Sequence, residues 1–85
     1  MKEIKVEWCE NFIRAIFKKK VPNGGGIYTG YFWDMAERSG LWVRGTYGSP
    51  MSQALENLTE VETVQDANGN FAYHIFKLKK SKGAA

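Results

Sequence analysis

The sequence predicts a small α+β domain in which three helices are closed by a C-terminal β-hairpin. Three observations predict it. An apolar stripe at helical spacing runs through the first twenty residues, Ser49-Pro50 opens a second amphipathic run, and two segments rich in Val, Thr, Phe, Tyr and Ile flank the turn signal Asn68-Gly69. The 85 residues leave room for one core, because chains divide at roughly 100–200 residues per domain. A chain this short buries only about 60% of its unfolded surface. It therefore needs dense apolar packing, and the composition supplies it with 44% hydrophobic and 14% aromatic residues. Cys9 is the single cysteine and His74 the single histidine, which excludes an intramolecular disulfide and a zinc site of four such ligands. Core packing is the expected role of Cys9, and no cofactor or metal is expected.

The first helix is read over Ile4 to Lys20, with Ile4, Trp8, Phe12 and Ile16 at steps of four and Cys9, Ile13 and Phe17 widening the stripe. Glu10 stands four residues before Arg14 as a surface pair, and Lys18-Lys19-Lys20 in the last turn complement the helix dipole. Val21-Pro22-Asn23-Gly24-Gly25-Gly26 then breaks the helix. Ile27-Tyr28-Thr29 is β-prone, and Thr29 is positioned to cap a helix from Gly30 to about Ser39, with Phe32, Met35 and Ala36 inward and Gly40 as its stop. A longer strand over Tyr28–Trp33, giving an αββαββ order, is the alternative that so short an apolar run leaves open. Leu41-Trp42-Val43 extends the apolar surface and Arg44–Gly48 is a turn. Ser49 is the N-cap of the next helix, with Pro50 at its first position. Met51, Ala54, Leu55 and Leu58 form its inner face, leaving Ser52, Gln53, Glu56 and Asn57 outward. Thr59–Gln65 and Phe71–Lys79 are the hairpin strands. Residues 1–79 make the domain, and Lys80–Ala85 is a basic flexible tail.

Several function classes fall away. The glycine run lacks the spacing and the following lysine of a phosphate-binding loop. No run approaches the ~18 apolar residues of a membrane span, and the first residues lead into an amphipathic stretch rather than a signal-peptide core. A cytoplasmic protein is expected. Asp34 and Glu37 lack a partner histidine, nucleophile or ligand set, and His74 between Tyr73 and Ile75 is expected to be packed or at the surface, so the sequence points away from catalysis. The net charge of +3 is unevenly spread. Residues 1–20 hold six Lys/Arg against three Glu, whereas residues 21–60 hold only Arg38 and Arg44 against Asp34, Glu37, Glu56 and Glu60.

Helix, short strand, helix, turn, short helix, hairpin is an order that resembles the winged helix-turn-helix superfamily. In this comparison "FWDMAERSGLW" looks like the positioning helix, "SPMSQALENL" like the recognition helix and "TEVETVQDANGNFAYHIFKL" like the two wing strands. The overall style also resembles small proteins carried by bacteriophages and other mobile elements. The resemblance implies a double-stranded DNA-binding regulator of transcription or replication, with the recognition helix in the major groove and the wing on the backbone. It places Gln53 and Asn57 on base edges, since paired amides bond adenine, and Ser52 on a base edge or a phosphate. Thr46, Tyr47 and Ser49 suit phosphates near the helix N-terminus. Arg44 is the cation of that edge, Asn68 and Asn70 sit at the wing tip, and Lys77 lies with Lys79 at the base of the outgoing strand.

The same helix carries no Lys or Arg and is followed by Glu60 and Glu62, which opposes phosphate neutralisation, the main source of affinity for DNA. The alternative is a winged helix used as a protein-interaction module that recruits or inhibits a host factor, through Trp33, Trp42 and Tyr47. The potential over Ser49–Asn57 separates the two: positive favours DNA, negative favours a protein. A monomer and a homodimer are both compatible with the sequence.

Overall fold

The structure, a computed structural model, describes residues 3–46, 48–65, 67–69 and 72–79. Helix α1 (Val6–Lys20) turns a ridge of Cys9, Ile13 and Phe17 inward, with Phe12 and Ile16 half-buried beside it. It starts two residues after Ile4, and Trp8 is 42% exposed rather than on the inner face. The cause is geometric. The row Cys9, Ile13, Phe17 holds the centre of the buried face, and the row Trp8, Phe12, Ile16 lies one residue, about 100°, to its side. Phe12 and Ile16 are therefore only partly buried and Trp8 is exposed, while Ile4 packs against the core from before the helix start.

Strand β1 (Ile27–Tyr28) is two residues long and passes directly into helix α2 (Thr29–Arg38). Thr29 is therefore the first helical residue, not the cap. Tyr28 takes the cap position, with φ -52° and ψ 135°, and offers no side-chain hydrogen bond. The other end of α2 closes as its sequence suggests: Gly40 adopts φ +83°, its N–H donates to Glu37 O at 3.1 Å, and Leu41 N–H donates to Ala36 O at 3.2 Å. This pair of bonds satisfies carbonyls the helix leaves open and needs a residue tolerant of the left-handed region.

Helix α3 (Pro50–Leu58) begins at Ser49, whose Oγ accepts from Ser52 N–H at 3.2 Å, with Pro50 following. Met51, Ala54 and Leu55 are buried, and Leu58 packs against the same core. No residue separates α3 from strand β2 (Thr59–Gln65). Thr59 Oγ1 donates to Leu55 O at 2.7 Å across this buried joint.

Strands β2 and β3 (Ala72–Leu78) form the hairpin, and β1 joins the other edge of β3, so the antiparallel sheet runs β1-β3-β2. The register pairs Ile27 and Val61 with Phe76, and Tyr28 and Glu62 with Ile75. Alternation then puts Ile27, Phe76 and Val61 on the helix side, and Tyr28, Tyr73, Ile75 and Val64 on the other. The Tyr28 and Tyr73 rings meet there at 4.8 Å. The glycine loop passes beside β3, where a Cβ on Gly26 would lie 2.5 Å from Ile75 Cδ1 and 3.1 Å from Lys77 Cγ, so a larger residue there would push the tip of Ile75 aside. Among the described residues the result is three helices and a three-stranded antiparallel sheet, an α+β arrangement. The brief strand is Ile27–Tyr28, and the alternative of a longer strand over Tyr28–Trp33 does not hold because Thr29–Arg38 is helical.

Phe32 is fully buried where these elements converge. Its ring meets Phe12 of α1 at 5.8 Å and Phe76 of β3 at 5.4 Å, both edge-on. Such edge contacts add to the burial of the rings. Phe32→Ala is expected to cost about 3–5 kcal/mol and Ser49→Ala about 1 kcal/mol, both read from urea unfolding at constant slope. Burial pushes the Cys9 thiol up from its ordinary pKa, so the native state keeps it protonated where the unfolded chain ionises. Stability should therefore fall as pH rises through the thiol range, and Cys9→Ser should flatten that dependence. A thiol reagent is expected to label Cys9 only at the rate of unfolding.

Candidate functional site

The outward face of α3 is polar and largely self-satisfied. Gln53 and Asn57 are exposed one turn apart, as their spacing requires. Gln53 Nε2 donates to Asn57 Oδ1 at 3.1 Å, and Asn57 Nδ2 donates to Glu10 Oε2 of α1 at 3.0 Å. Glu10 is thus engaged with α3, whereas Arg14, its expected partner, lies 3.5 Å from Asn11 Oδ1. Ser52 is half-buried with its Oγ 3.3 Å from that of Ser49. Ser49 itself is only 6% exposed, so its hydroxyl faces into the helix start rather than outward.

The turn before α3 is fixed by charge and by stacking. Arg44 donates from Nε and Nη2 to Glu37 Oε1, at 3.1 and 2.6 Å, and its guanidinium lies 5.6 Å from the Trp42 ring. Its hydrogen bond to Glu37 holds Arg44 still more firmly protonated than usual. Trp42 meets Trp33 with ring centres 4.6 Å apart and planes tilted by 46°, and its buried Nε1 finds no acceptor among the described residues. Both rings are half-buried. The more exposed aromatics are Trp8, Tyr28 and Tyr31, with Lys20 Nζ 5.9 Å from the Tyr31 ring. Thr46 is exposed and its N–H donates to Val43 O. Asp34 pairs with Arg38 at 3.2 Å, so both α2 carboxylates serve surface pairs.

At the hairpin, Asn68 is exposed at the tip, and Lys77 Nζ pairs with Glu62 at 3.4 Å. His74 is exposed with Nδ1 3.0 Å from Thr63 Oγ1. Tyr47 and Asn70 lie outside the described residues, as does the tail from Lys80. Lys79 does not point away from the domain base. Its Nζ donates to Glu56 O at 2.8 Å and its N–H to Leu58 O at 2.9 Å, which places a cation at the open carbonyls of the α3 C-terminus.

Between α3 and the hairpin lies a groove of about 380 Å³ with Trp33, Leu55, Val61 and Phe76 on its walls. Glu56 and Glu60 stand on its rim, and among the described residues Lys79 is the one cation lining it. Val61 is 58% exposed there. The expected DNA-reading residues are therefore divided: Ser49, Ser52, Gln53 and Asn57 share α3, Arg44 and Thr46 belong to the preceding turn, and Asn68 and Lys77 mark the two ends of the hairpin. The sequence reading missed Glu10, Val61 and the Lys79 clamp. Alternation along β2 carried a signal for Val61; Glu10 stands 47 residues from Asn57, and no local pattern announces that pairing. Among the described residues, no three His, Cys, Asp or Glu side chains converge as metal ligands, and no helix is long and apolar enough to cross a membrane. Comparison of the chain with family models, curated proteins and solved structures returns no match.

Proposed function

We propose that this chain is a winged helix-turn-helix domain whose face formed by α3 and the hairpin docks a protein partner. The fold reading is supported by the element order together with the sheet order β1-β3-β2. A short strand ahead of the second helix is tied to the outgoing strand of the hairpin, as that architecture requires. The observation that carries the partner class is the acid-rimmed apolar groove. A phosphate backbone entering beside α3 would meet Glu56 and Glu60, with Glu10 near Asn57, and the nearby Lys79 ammonium is already held by a backbone carbonyl. Like charge repels polyanions, whereas exposed Val61 beside Trp33 is the kind of apolar anchor that protein interfaces use. The partner segment that fits is basic at its edges and apolar at its centre, and its capture would recruit or block the protein that carries it.

Double-stranded DNA is the second reading, with regulation of transcription or replication as its outcome. It is favoured by the exposed Gln53 amide on α3, and by Arg14, Lys18, Lys19 and Lys20, which give α1 cations outside the acidic groove. Fluorescence anisotropy of random-sequence duplex DNA across a salt series decides between the two. The protein reading expects no steeply salt-dependent binding by the wild-type domain, and an affinity gain of tenfold or more in Glu56→Lys/Glu60→Lys. It also expects that a partner crosslinked from host lysate is lost with Val61→Asp, a substitution at an exposed position that leaves the fold intact. Wild-type binding that falls steeply with salt, with sequence discrimination reduced by about 1–3 kcal/mol in Gln53→Ala/Asn57→Ala, would establish the DNA reading instead.

A further inference from the structure

A second groove, of about 490 Å³, opens where the later turns of α1 meet the glycine loop and the end of β3. Among the described residues it shares no lining residue with the groove beside α3. Its floor is apolar: Phe17 and Val21 from α1 and its exit, and Leu78 of β3, which is 42% exposed. Its rim is cationic. Arg14 and Lys18 stand one turn apart on α1, Lys77 of β3 lines the far edge, and among the described residues no Asp or Glu lines the groove. Lys77 is paired with Glu62, but Arg14 and Lys18 have no carboxylate partner among the described residues.

The backbone of β3 adds a third feature. Lys79 N–H is taken by Leu58 O on the β2 side, and in an antiparallel ladder alternate residues bond to opposite neighbours. The N–H and C=O of Leu78 therefore point to the other edge of β3. Strand β1 covers that edge only at Phe76 and Ile75, and Leu78 lies beyond its last pair. The groove thus combines a strand edge with an apolar floor and unpaired cations. A phosphate backbone would meet the cations and leave the floor wet. An extended peptide meets all three, because its side chains alternate between floor and rim while its main chain pairs with the edge.

We propose that this groove docks an extended segment of a partner protein in which acidic side chains alternate with apolar ones, added to β3 at Leu78. The proposal stands independently of what α3 binds. Selection from a displayed random decapeptide library, followed by anisotropy of the enriched peptides, tests it. Enriched peptides are expected to be acidic with apolar residues at every second position. They should lose tenfold or more in affinity for the Arg14→Glu/Lys18→Glu domain, whose substitutions are at exposed helix positions and whose fold is checked by circular dichroism. Methylating alternate peptide amides should cause a comparable loss, and Val61→Asp none, which keeps this site separate from the α3 face. Enrichment of basic or uncharged peptides, no enrichment, or equal binding to the charge-reversed domain would overturn the proposal. So would random duplex DNA that displaces the peptide and is itself lost on charge reversal, since the groove would then belong to phosphate.

Discussion

The fold depends on one buried ring. Phe32 touches α1 through Phe12 and the sheet through Phe76, and its neighbour Trp33 carries the contact on to Trp42 in the turn before α3. None of the parts it joins is stable alone. Helices α2 and α3 have ten and nine residues, too few to persist in water without tertiary contacts, and β1 has two. Aromatic burial at this point stands in for the disulfide or metal that domains of this size often require. It also explains where the surplus aromatics went: much of the 14% is spent on linking short elements.

Charge is segregated over the surface this core supports. Carboxylates gather around α3 and the start of β2, with Lys79 set among them, and cations gather in the later turns of α1. Net charge alone hides this division, because the positive total belongs to a different face from the helix that the resemblance would aim at DNA. The amides of α3 are drawn into the same pattern, since Asn57 donates to a carboxylate of α1. That bond helps to hold α3 against α1, so a ligand seeking the amide must compete with a contact that serves the fold.

Much of the fold was legible in the sequence because its signals are local. Ser49-Pro50 marked the start of α3, Gly40 marked the end of α2, and Asn68-Gly69 placed the hairpin. Met51, Ala54 and Leu55 fell inside as their period requires. Thr29 misled because a pairing strand ends one residue before it, and this tertiary fact moves the cap to Tyr28. Trp8 misled because its row lies beside the buried row of Cys9, Ile13 and Phe17 rather than on it. The site was less legible than the fold, since its decisive contacts join distant residues: Glu10 to Asn57, Lys79 to Glu56, and Arg44 to Glu37 across the α2 exit. Composition suggested an acidic centre, but only the packing of β2 against α3 turned Glu56 and Glu60 into the rim of an apolar groove.

The joint between α3 and β2 has a mechanical consequence. The helix passes into the strand without a linker, and the Thr59 hydroxyl and both nitrogen atoms of Lys79 hold the helix end to the hairpin base. Helix and hairpin therefore move as one lever, and a ligand that engages either one finds the other already at its working angle. Little orientational entropy remains to be lost when the second contact forms. The same stiffness narrows the range of shapes the face can accept, so selectivity here comes from a surface that does not adapt.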